Sequence, residues 1–311
     1  DILLSIDESP FLSQVIPAVL YGLVEQEVAA GGPAGGLGLS TFLPTAWEDY
    51  ETIEFGRELK LVYDLVYELY NDAVGLSDVL LETLTGTTAV NDAPFEAPKR
   101  EGETPTITSV IVDNFDLFVE VLLGDVDEDG VPINNDPVTG ISINRVSMLD
   151  SDLIARGLPS LVESLVLPTL LSVLGTDYDD TEVVSLVEGF NDGTLGDVRK
   201  AYKQEFAGLF SIVGAALSND TLAGLLEPGA TVNILDILND EAFRADLKSN
   251  LIPKLDRSEM ILTIVPGFLE ATFSDPSFND FLTLINITTD DLNFEFDSLS
   301  RELNIVIDML G

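Results

Sequence analysis

Ser9-Pro10-Phe11-Leu12-Ser13-Gln14-Val15-Ile16-Pro17 is the first of three stretches of the chain that share one pattern. Each has serine at its start, proline or an acidic residue next, apolar residues inside and proline eight positions after the serine. The other two are Ser151-Asp152-Leu153-Ile154-Ala155-Arg156-Gly157-Leu158-Pro159 and Ser258-Glu259-Met260-Ile261-Leu262-Thr263-Ile264-Val265-Pro266. Serine caps helix N-termini, and proline or an acid suits the first helical turn. Because the apolar residues recur at helical spacing, each stretch predicts an amphipathic helix.

A proline lies inside each predicted helix, at Pro17, Pro159 and Pro266. Within a helix, proline removes one backbone hydrogen bond and kinks or breaks the helix. Because the three prolines share one offset from their serines, the pattern predicts that one kinked helical unit has been copied along the chain. Three ordinary amphipathic helices with coincidental prolines are the alternative.

A second signature follows each serine stretch in the same order. Arg57-Glu58-Leu59-Lys60-Leu61-Val62-Tyr63-Asp64-Leu65 resembles Arg301-Glu302-Leu303-Asn304-Ile305-Val306-Ile307-Asp308-Met309, and Gln204-Glu205-Phe206-Ala207-Gly208-Leu209-Phe210-Ser211-Ile212 is a looser match. Two motifs in one order predict an all-α fold of tandem divergent helical repeats, with proline-kinked helices and one calcium-loop insertion. The predicted repeats are residues 1–95, 96–228 and 229–311, and we expect the natural polypeptide to continue past residue 311.

Composition limits the partners of this chain. Its 311 residues carry 14 Lys and Arg against 55 Asp and Glu, a net charge of −41. Phosphate binding needs clustered cations, so nucleic acid is a poor partner, and an anionic membrane surface is equally unfavourable. Hydrophobic residues make up 46% of the chain, which is too apolar for a disordered acidic tail. The sequence therefore predicts a folded chain whose acidic surfaces attract cations.

Two residue types are missing altogether: the chain has no histidine and no cysteine. This excludes disulfides, Ser-His-Asp and Cys-His nucleophiles and ordinary zinc sites. A glycosidase-like pair of carboxylates stays open as an alternative, but no pair stands out among the acids. We predict that the protein is not an enzyme. We also predict no membrane span, because the most apolar stretch, residues 158–174, is short and contains Glu163 and Pro168.

One stretch carries a metal-binding pattern: Asp125-Val126-Asp127-Glu128-Asp129-Gly130-Val131-Pro132-Ile133-Asn134-Asn135-Asp136. It has the spacing of a calcium loop, with side-chain oxygens at positions 1, 3, 5 and 12, glycine at position 6 and a backbone carbonyl at position 7. Alternating oxygen donors let a short loop wrap a hard cation. The predicted calcium ligands are Asp125, Asp127, Asp129, Val131 through its carbonyl, and Asp136.

Two positions of this loop depart from the pattern. Asp136 stands where a bidentate glutamate is usual, which predicts weaker binding, and Pro132 stands where an apolar β-branched residue is usual, which argues against a paired EF-hand. An acidic turn that binds nothing specific is the alternative. A second acidic cluster at residues 175–182 lacks the glycine and the register, and whether it binds metal stays open.

The Asp-Gly-Val-Pro segment of the loop resembles the thrombospondin type-3 calcium repeats of secreted bacterial proteins. Taken whole, the chain resembles the acidic, cysteine-free, repeat-containing cell-surface proteins of prokaryotes, of the S-layer, sheath or filament type. The resemblance implies an extracellular structural or adhesive module that is stabilised by calcium and associates with itself or with other surface proteins. Two alternatives are a helical binding module for an apolar ligand or partner helix, and a soluble protein of a halophile.

Overall fold

Helices make up nearly all the regular structure of the protein, for which we have a computed structural model. The structure describes residues 3–30, 38–74, 76, 110, 112–127, 130–162, 181–219, 221–222, 240–274 and 298–310. Within these ranges no β-strand forms, and the only extended pairings are two isolated bridges, Val126 with Pro132 and Asn135 with Ser142. The prediction of an all-α fold is confirmed.

Two compact units are defined by contacts within the chain: residues 1–161 with 193–203, and residues 162–192 with 204–311. The first unit contains helices α1 to α6, at Ser5–Glu8, Leu12–Ala29, Leu39–Phe42, Phe55–Asp72, Phe115–Leu123 and Asp152–Leu161. Short 3-10 turns lie at Trp47–Asp49 and Met148–Asp150. The three predicted repeats are defined by sequence, and their boundaries stay a prediction.

The second unit contains helix α7 at Thr181–Phe190, and it shares helix α8, Leu195–Leu217, with the first unit. Helices α9 to α12 follow at Glu241–Asp246, Ile252–Leu255, Glu259–Ser274 and Leu299–Leu310, with a π-helical turn at Leu247–Leu251 between α9 and α10. Helix α7 packs against α11, and α10 packs against α12.

All three serine stretches are helical, and their prolines lie inside α2, α6 and α11. The second signature also lies in helices, within α4, α8 and α12. That one helical unit was copied along the chain, and that each proline kinks its helix, remain predictions.

The core of the first unit brings together α2, α4 and α6. Tyr50, Ile53 and Phe55 are buried, and Tyr21 of α2 and Leu153 of α6 pack against them. A second cluster joins α4 to the segment before α6, and it contains Leu61, Leu65, Leu69, Leu117, Val121 and Met148. This packing places the start of α6 beside the start of α4.

Candidate functional site

A buried carboxylate of α4 holds the start of helix α6. Glu58 is 4% exposed and Ser151 is 1% exposed. The Ser151 hydroxyl donates a hydrogen bond to Glu58 Oε2, and the backbone N–H of Asp152 donates to Glu58 Oε1 at 3.1 Å. Ser151 Oγ in turn accepts the N–H of Ile154 at 3.1 Å. The serine is thus the predicted N-cap, and the glutamate satisfies a further helix donor beside the positive end of the helix dipole.

The same contact is built a second time, between Glu205 of α8 and the start of α11. The Ser258 hydroxyl donates to Glu205 Oε1, the N–H of Glu259 donates to Oε2 at 2.9 Å, and the N–H of Met260 donates to Oε1 at 3.3 Å. Ser258 Oγ accepts the N–H of Ile261 at 3.0 Å. Because desolvation outweighs these bonds, the pKa of Glu205 is raised. We call each glutamate-to-serine contact a Glu–Ser junction.

A second carboxylate contact recurs at the start of the helix that carries the glutamate. Asp7 accepts the N–H of Gly56 at 2.7 Å and the N–H of Arg57 at 3.0 Å, at the beginning of α4. Its counterpart Asp256 accepts the Ser298 hydroxyl at 2.7 Å and the N–H of Ser300 at 3.0 Å, at the beginning of α12. Burial alone would raise the pKa of Asp256, but these hydrogen bonds outweigh it and hold the pKa below its ordinary value.

The aspartate before the middle serine stretch, Asp150, accepts the N–H groups of Ser142 and Ser147 and also binds a lysine side chain. Asp150 Oδ1 lies 2.8 Å from Lys203 Nζ, and both side chains are 2% exposed. Helix α8 begins at Leu195, so Lys203 lies in its interior, where backbone N–H groups already have helical acceptors. The side chain of Lys203 therefore supplies the donor that a helix start supplies to Asp7 and Asp256.

Around Lys203 the structure builds a cage of oxygen atoms. Its Nζ also donates to Asn135 Oδ1 at 3.0 Å, to the Gly140 carbonyl at 3.0 Å and to Ser142 Oγ at 2.9 Å. Desolvation lowers the pKa of Lys203, and the Asp150 carboxylate opposes that shift. The cage ties the loop that follows the acidic stretch to helix α8.

Arg199, one turn earlier on α8 and 1% exposed, continues this attachment. Its Nε donates to the Leu149 carbonyl at 2.7 Å, its Nη2 to Asp152 Oδ1 at 2.6 Å and its Nη1 to the Thr139 carbonyl. Arg199 and Lys203 thus fix the segment before α6 from two successive turns of one helix.

The predicted calcium loop closes on itself through hydrogen bonds. The N–H of Asp127 donates to the Val131 carbonyl at 2.9 Å, and the N–H of Val131 donates to Asp127 Oδ1 at 2.9 Å. Asp125 Oδ2 accepts from Asn134 Nδ2 at 3.3 Å. Gly130 has φ of 79°, the left-handed backbone that the turn position of a calcium loop requires.

Asp136, the last predicted ligand, turns the chain after the loop. Its Oδ1 accepts the N–H groups of Val138 and Thr139 at 3.0 and 2.7 Å and the Thr139 hydroxyl at 2.9 Å. These hydrogen bonds lower the pKa of Asp136, and the bond from the Thr139 N–H contributes most. Asp129 lies outside the described residues, as do Glu128 and most of the cluster at 175–182. Within the described part, no three acidic side chains come together as a metal group.

Glu58, Glu205, Arg199 and Lys203 were not singled out for a role by the sequence patterns. A signal for the glutamates was present, because glutamate is the one residue type that all three second signatures share at their second position. No comparable signal marks Arg199 and Lys203, whose partners lie about 50 to 70 residues away and depend on the fold.

Comparisons with known proteins give no relative: no family model, no curated protein and no solved structure matches the chain. Among the helices that the structure describes, none combines the length and the apolar character needed to cross a bilayer.

Proposed function

We propose that the protein is a non-catalytic structural or adhesive module of an extracellular prokaryotic assembly, such as a surface layer, sheath or filament. The observation that carries the proposal is the Glu–Ser junction, which occurs at Ser151 and again at Ser258 in the same form. In repeat proteins each unit contacts its neighbours through a similar interface, and a joint that occurs twice in one form fits that architecture.

The chemistry of the joint suits a structural role. At each junction one buried glutamate binds both the capping serine and a backbone N–H of the same helix start. Losing the glutamate would leave the buried donors of the helix start unsatisfied, which costs more than a single hydrogen bond contributes. The joint therefore fixes the direction in which the next helix leaves.

Calcium belongs to this proposal as a stabiliser of the acidic loop. Asp125, Asp127, Asp129, the carbonyl of Val131 and Asp136 would hold it, because hard oxygen ligands at this spacing suit calcium. The supporting features are the left-handed Gly130 and the ring closure between Asp127 and Val131. A divalent cation would also reduce the repulsion among 55 acidic side chains.

An extracellular location is part of the same proposal. It is supported by the absence of cysteine and histidine, by the net charge of −41 and by the resemblance to acidic prokaryotic surface proteins. Millimolar calcium outside cells would fill a loop of the modest affinity that Asp136 at position 12 implies.

A second candidate, a binding module for a partner helix, is favoured by an apolar stripe on α4. Val62, Tyr63, Val66 and Tyr67 are all at least 40% exposed. The rings of Tyr63 and Tyr67 stack with their centroids 6.1 Å apart. Aromatic and apolar residues at helical spacing form the kind of surface that an amphipathic helix covers.

Electron microscopy and light scattering of the protein, with calcium and then with chelator, test the two candidates. Ordered particles or fibres that dissolve on chelation support the structural module. A monomer that is indifferent to calcium and that co-purifies with an apolar ligand or a helical peptide supports the binding module instead. Clear hydrolysis of a glycan by the wild-type chain would contradict both.

A further inference from the structure

The first serine helix is far more exposed at its start than the other two. Ser151 and Ser258 are buried by their glutamates, whereas Ser9 is half-buried. Phe11 is 70% exposed, while Met260, at the same position after its serine, is 4% exposed. Val15 is exposed, and its counterparts Gly157 and Ile264 are buried. At the start of α2 the surface that a Glu–Ser junction covers elsewhere is open.

Helix α12, which carries the third copy of the second signature, differs from α4 and α8 in the complementary way. Glu58 and Glu205 are buried, whereas the side chain of Glu302 is 32% exposed and accepts hydrogen bonds from its neighbour Arg301. Three residues after each glutamate, Leu61 and Gly208 are buried, while Ile305 is 49% exposed.

At the second junction this position faces the serine turn directly. A methyl group added to Gly208 would come within 2.4 Å of the carbonyl oxygen of Arg257 and 3.0 Å of the backbone nitrogen of Ser258. At the second junction Glu205 and Gly208 therefore form one contact face. Glu58 and Leu61 are buried at the corresponding positions of α4, whereas in α12 Glu302 is partly exposed and Ile305 is exposed.

We propose that the Glu302–Ile305 face of one chain docks on the start of α2, Ser9 to Val15, in a second copy of the chain. This inference deepens the proposed structural role and rests on it. The occupant is a second copy because this chain carries both halves of a contact that it makes twice internally. A further serine stretch past residue 311 of the same polypeptide is the competing occupant, and a chain that stays monomeric would favour it. The repeated contact is heterologous, so it joins copies head to tail into an open filament or a ring.

The chemistry of the new contact follows the two existing junctions. Glu302 accepts the Ser9 hydroxyl and the N–H of Phe11, which stands where Met260 donates to Glu205. Pro10 has no N–H, so this junction has one donor fewer than the one at Ser258. Phe11, Val15 and Ile305 lose apolar exposure on docking, which supplies the main driving force.

Charge sets the conditions under which the contact forms. Each copy carries a net charge of −41, so two copies repel each other in dilute buffer. Molar salt shortens the screening length to about 3 Å and removes most of that repulsion. Association should therefore increase with salt, the reverse of an interface held by exposed ion pairs.

Because the chain has no cysteine, crosslinking provides a direct test. Phe11→Cys protein is mixed with Ile305→Cys protein in molar salt, and a short bismaleimide reagent is added. We expect the mixed dimer to form in clear excess over both self-crosslinked dimers. Val213→Cys is the matched control for Ile305→Cys, because Val213 is 43% exposed on another helix of the second unit. Equal yields with Val213→Cys and Ile305→Cys would overturn the inference.

An independent readout is sedimentation of the wild type and of two variants, Glu302→Ala and Glu241→Ala. The second variant is the control, because the side chain of Glu241 is exposed. We expect wild type and Glu241→Ala to associate equally and Glu302→Ala to associate at least tenfold more weakly. A wild-type chain that stays monomeric in molar salt at high concentration overturns the inference. Ordered assembly that Glu302→Ala leaves intact also overturns it, while sparing the proposed structural role.

Discussion

The carboxylate of Glu205 and the hydroxyl of Ser258 are hydrogen-bonded in the protein interior, 53 residues apart in the chain. Both residues are at most 3% exposed. Glu58 and Ser151 repeat this relationship 93 residues apart. This pair thus explains how the helices after Ser151 and Ser258 start and how an earlier helix orients each of them.

Truncation of the buried junction glutamate Glu205 should destabilise the protein, whereas truncation of the partly exposed Glu302 should not. Glu205→Ala leaves the N–H groups of Glu259 and Met260 without an acceptor, so we expect a loss of about 2–3 kcal/mol in the free energy of unfolding. Glu302→Ala should change it by less than about 0.5 kcal/mol in the monomer. Urea unfolding together with amide hydrogen exchange at Glu259 and Met260 measures both effects. Equal losses for the two variants would contradict the assigned junction.

Gly208 should not tolerate a side chain, because the backbone before α11 approaches it closely. Gly208→Ala forces a Cβ against the Arg257 carbonyl, so we expect a loss of about 1–3 kcal/mol. Gly22→Ala is the control, because nothing lies within 4 Å of its added Cβ in the middle of α2. That substitution should stabilise the protein by about 0.5–1 kcal/mol, through helix propensity. Thermal unfolding of the two variants checks the opposite signs, and a neutral Gly208→Ala would refute the close approach.

The buried ion pair should behave as a unit. Lys203→Met leaves Asp150 charged and without its cation in the interior, which we expect to cost about 3–5 kcal/mol. Combining Lys203→Met with Asp150→Asn should cost less than the sum of the two single changes, because no uncompensated charge remains. Lys200→Met, three residues earlier and paired with Asp197 near the surface, should cost less than about 1 kcal/mol. The measurement is a double-mutant cycle by urea denaturation, and strict additivity would argue against coupling.

Acid should weaken the cap of α12. The pKa of Asp256 is lower in the folded protein than its ordinary value of 3.8, so its stabilising contribution is present above that value and is lost as the pH falls through the lowered pKa. We expect Asp256→Asn to reduce the acid dependence of the unfolding free energy below about pH 4, with exposed Glu241→Gln as control. An unchanged acid limb in Asp256→Asn would argue against the cap.

Glu205 contributes to the pH dependence of the unfolding free energy in the opposite direction from Asp256. Its pKa is raised above the ordinary value of 4.5, so its contribution to stability is present below that value and declines as the pH rises through the raised pKa. The acid dependence that remains in Asp256→Asn is therefore the net effect of groups with opposing signs.

Calcium should stabilise the first unit if the acidic loop binds it. For a site of millimolar to submillimolar affinity, about 10 mM calcium should add about 1–3 kcal/mol to the free energy of unfolding. Asp127→Asn should abolish the increment, while Asp116→Asn, which makes the same charge change at an exposed position of α5, should preserve it. Calcium titration followed by urea unfolding distinguishes these outcomes. Stabilisation of equal size in both variants would indicate general screening instead of a site.

Much of the helical structure could be predicted from the sequence. The stretches after Ser9, Ser151 and Ser258 are helical, as their apolar spacing predicts. Serine caps, acids in the first turn and apolar periodicity are local signals that act within a few residues. The structure of the candidate site was less predictable, because each junction depends on residues that are far apart in the chain.

The sequence alone determined that the chain is helical, acidic on its outside and without histidine or cysteine chemistry, because composition and periodicity are properties of neighbouring residues. Only the tertiary structure decided that Glu58 and Glu205 cap helices of later segments, and that Lys203 takes the place of a helix start opposite Asp150. The physical reason is that a carboxylate acquires its partner from packing. Nothing in its own neighbourhood distinguishes a buried cap from the many acids that face water.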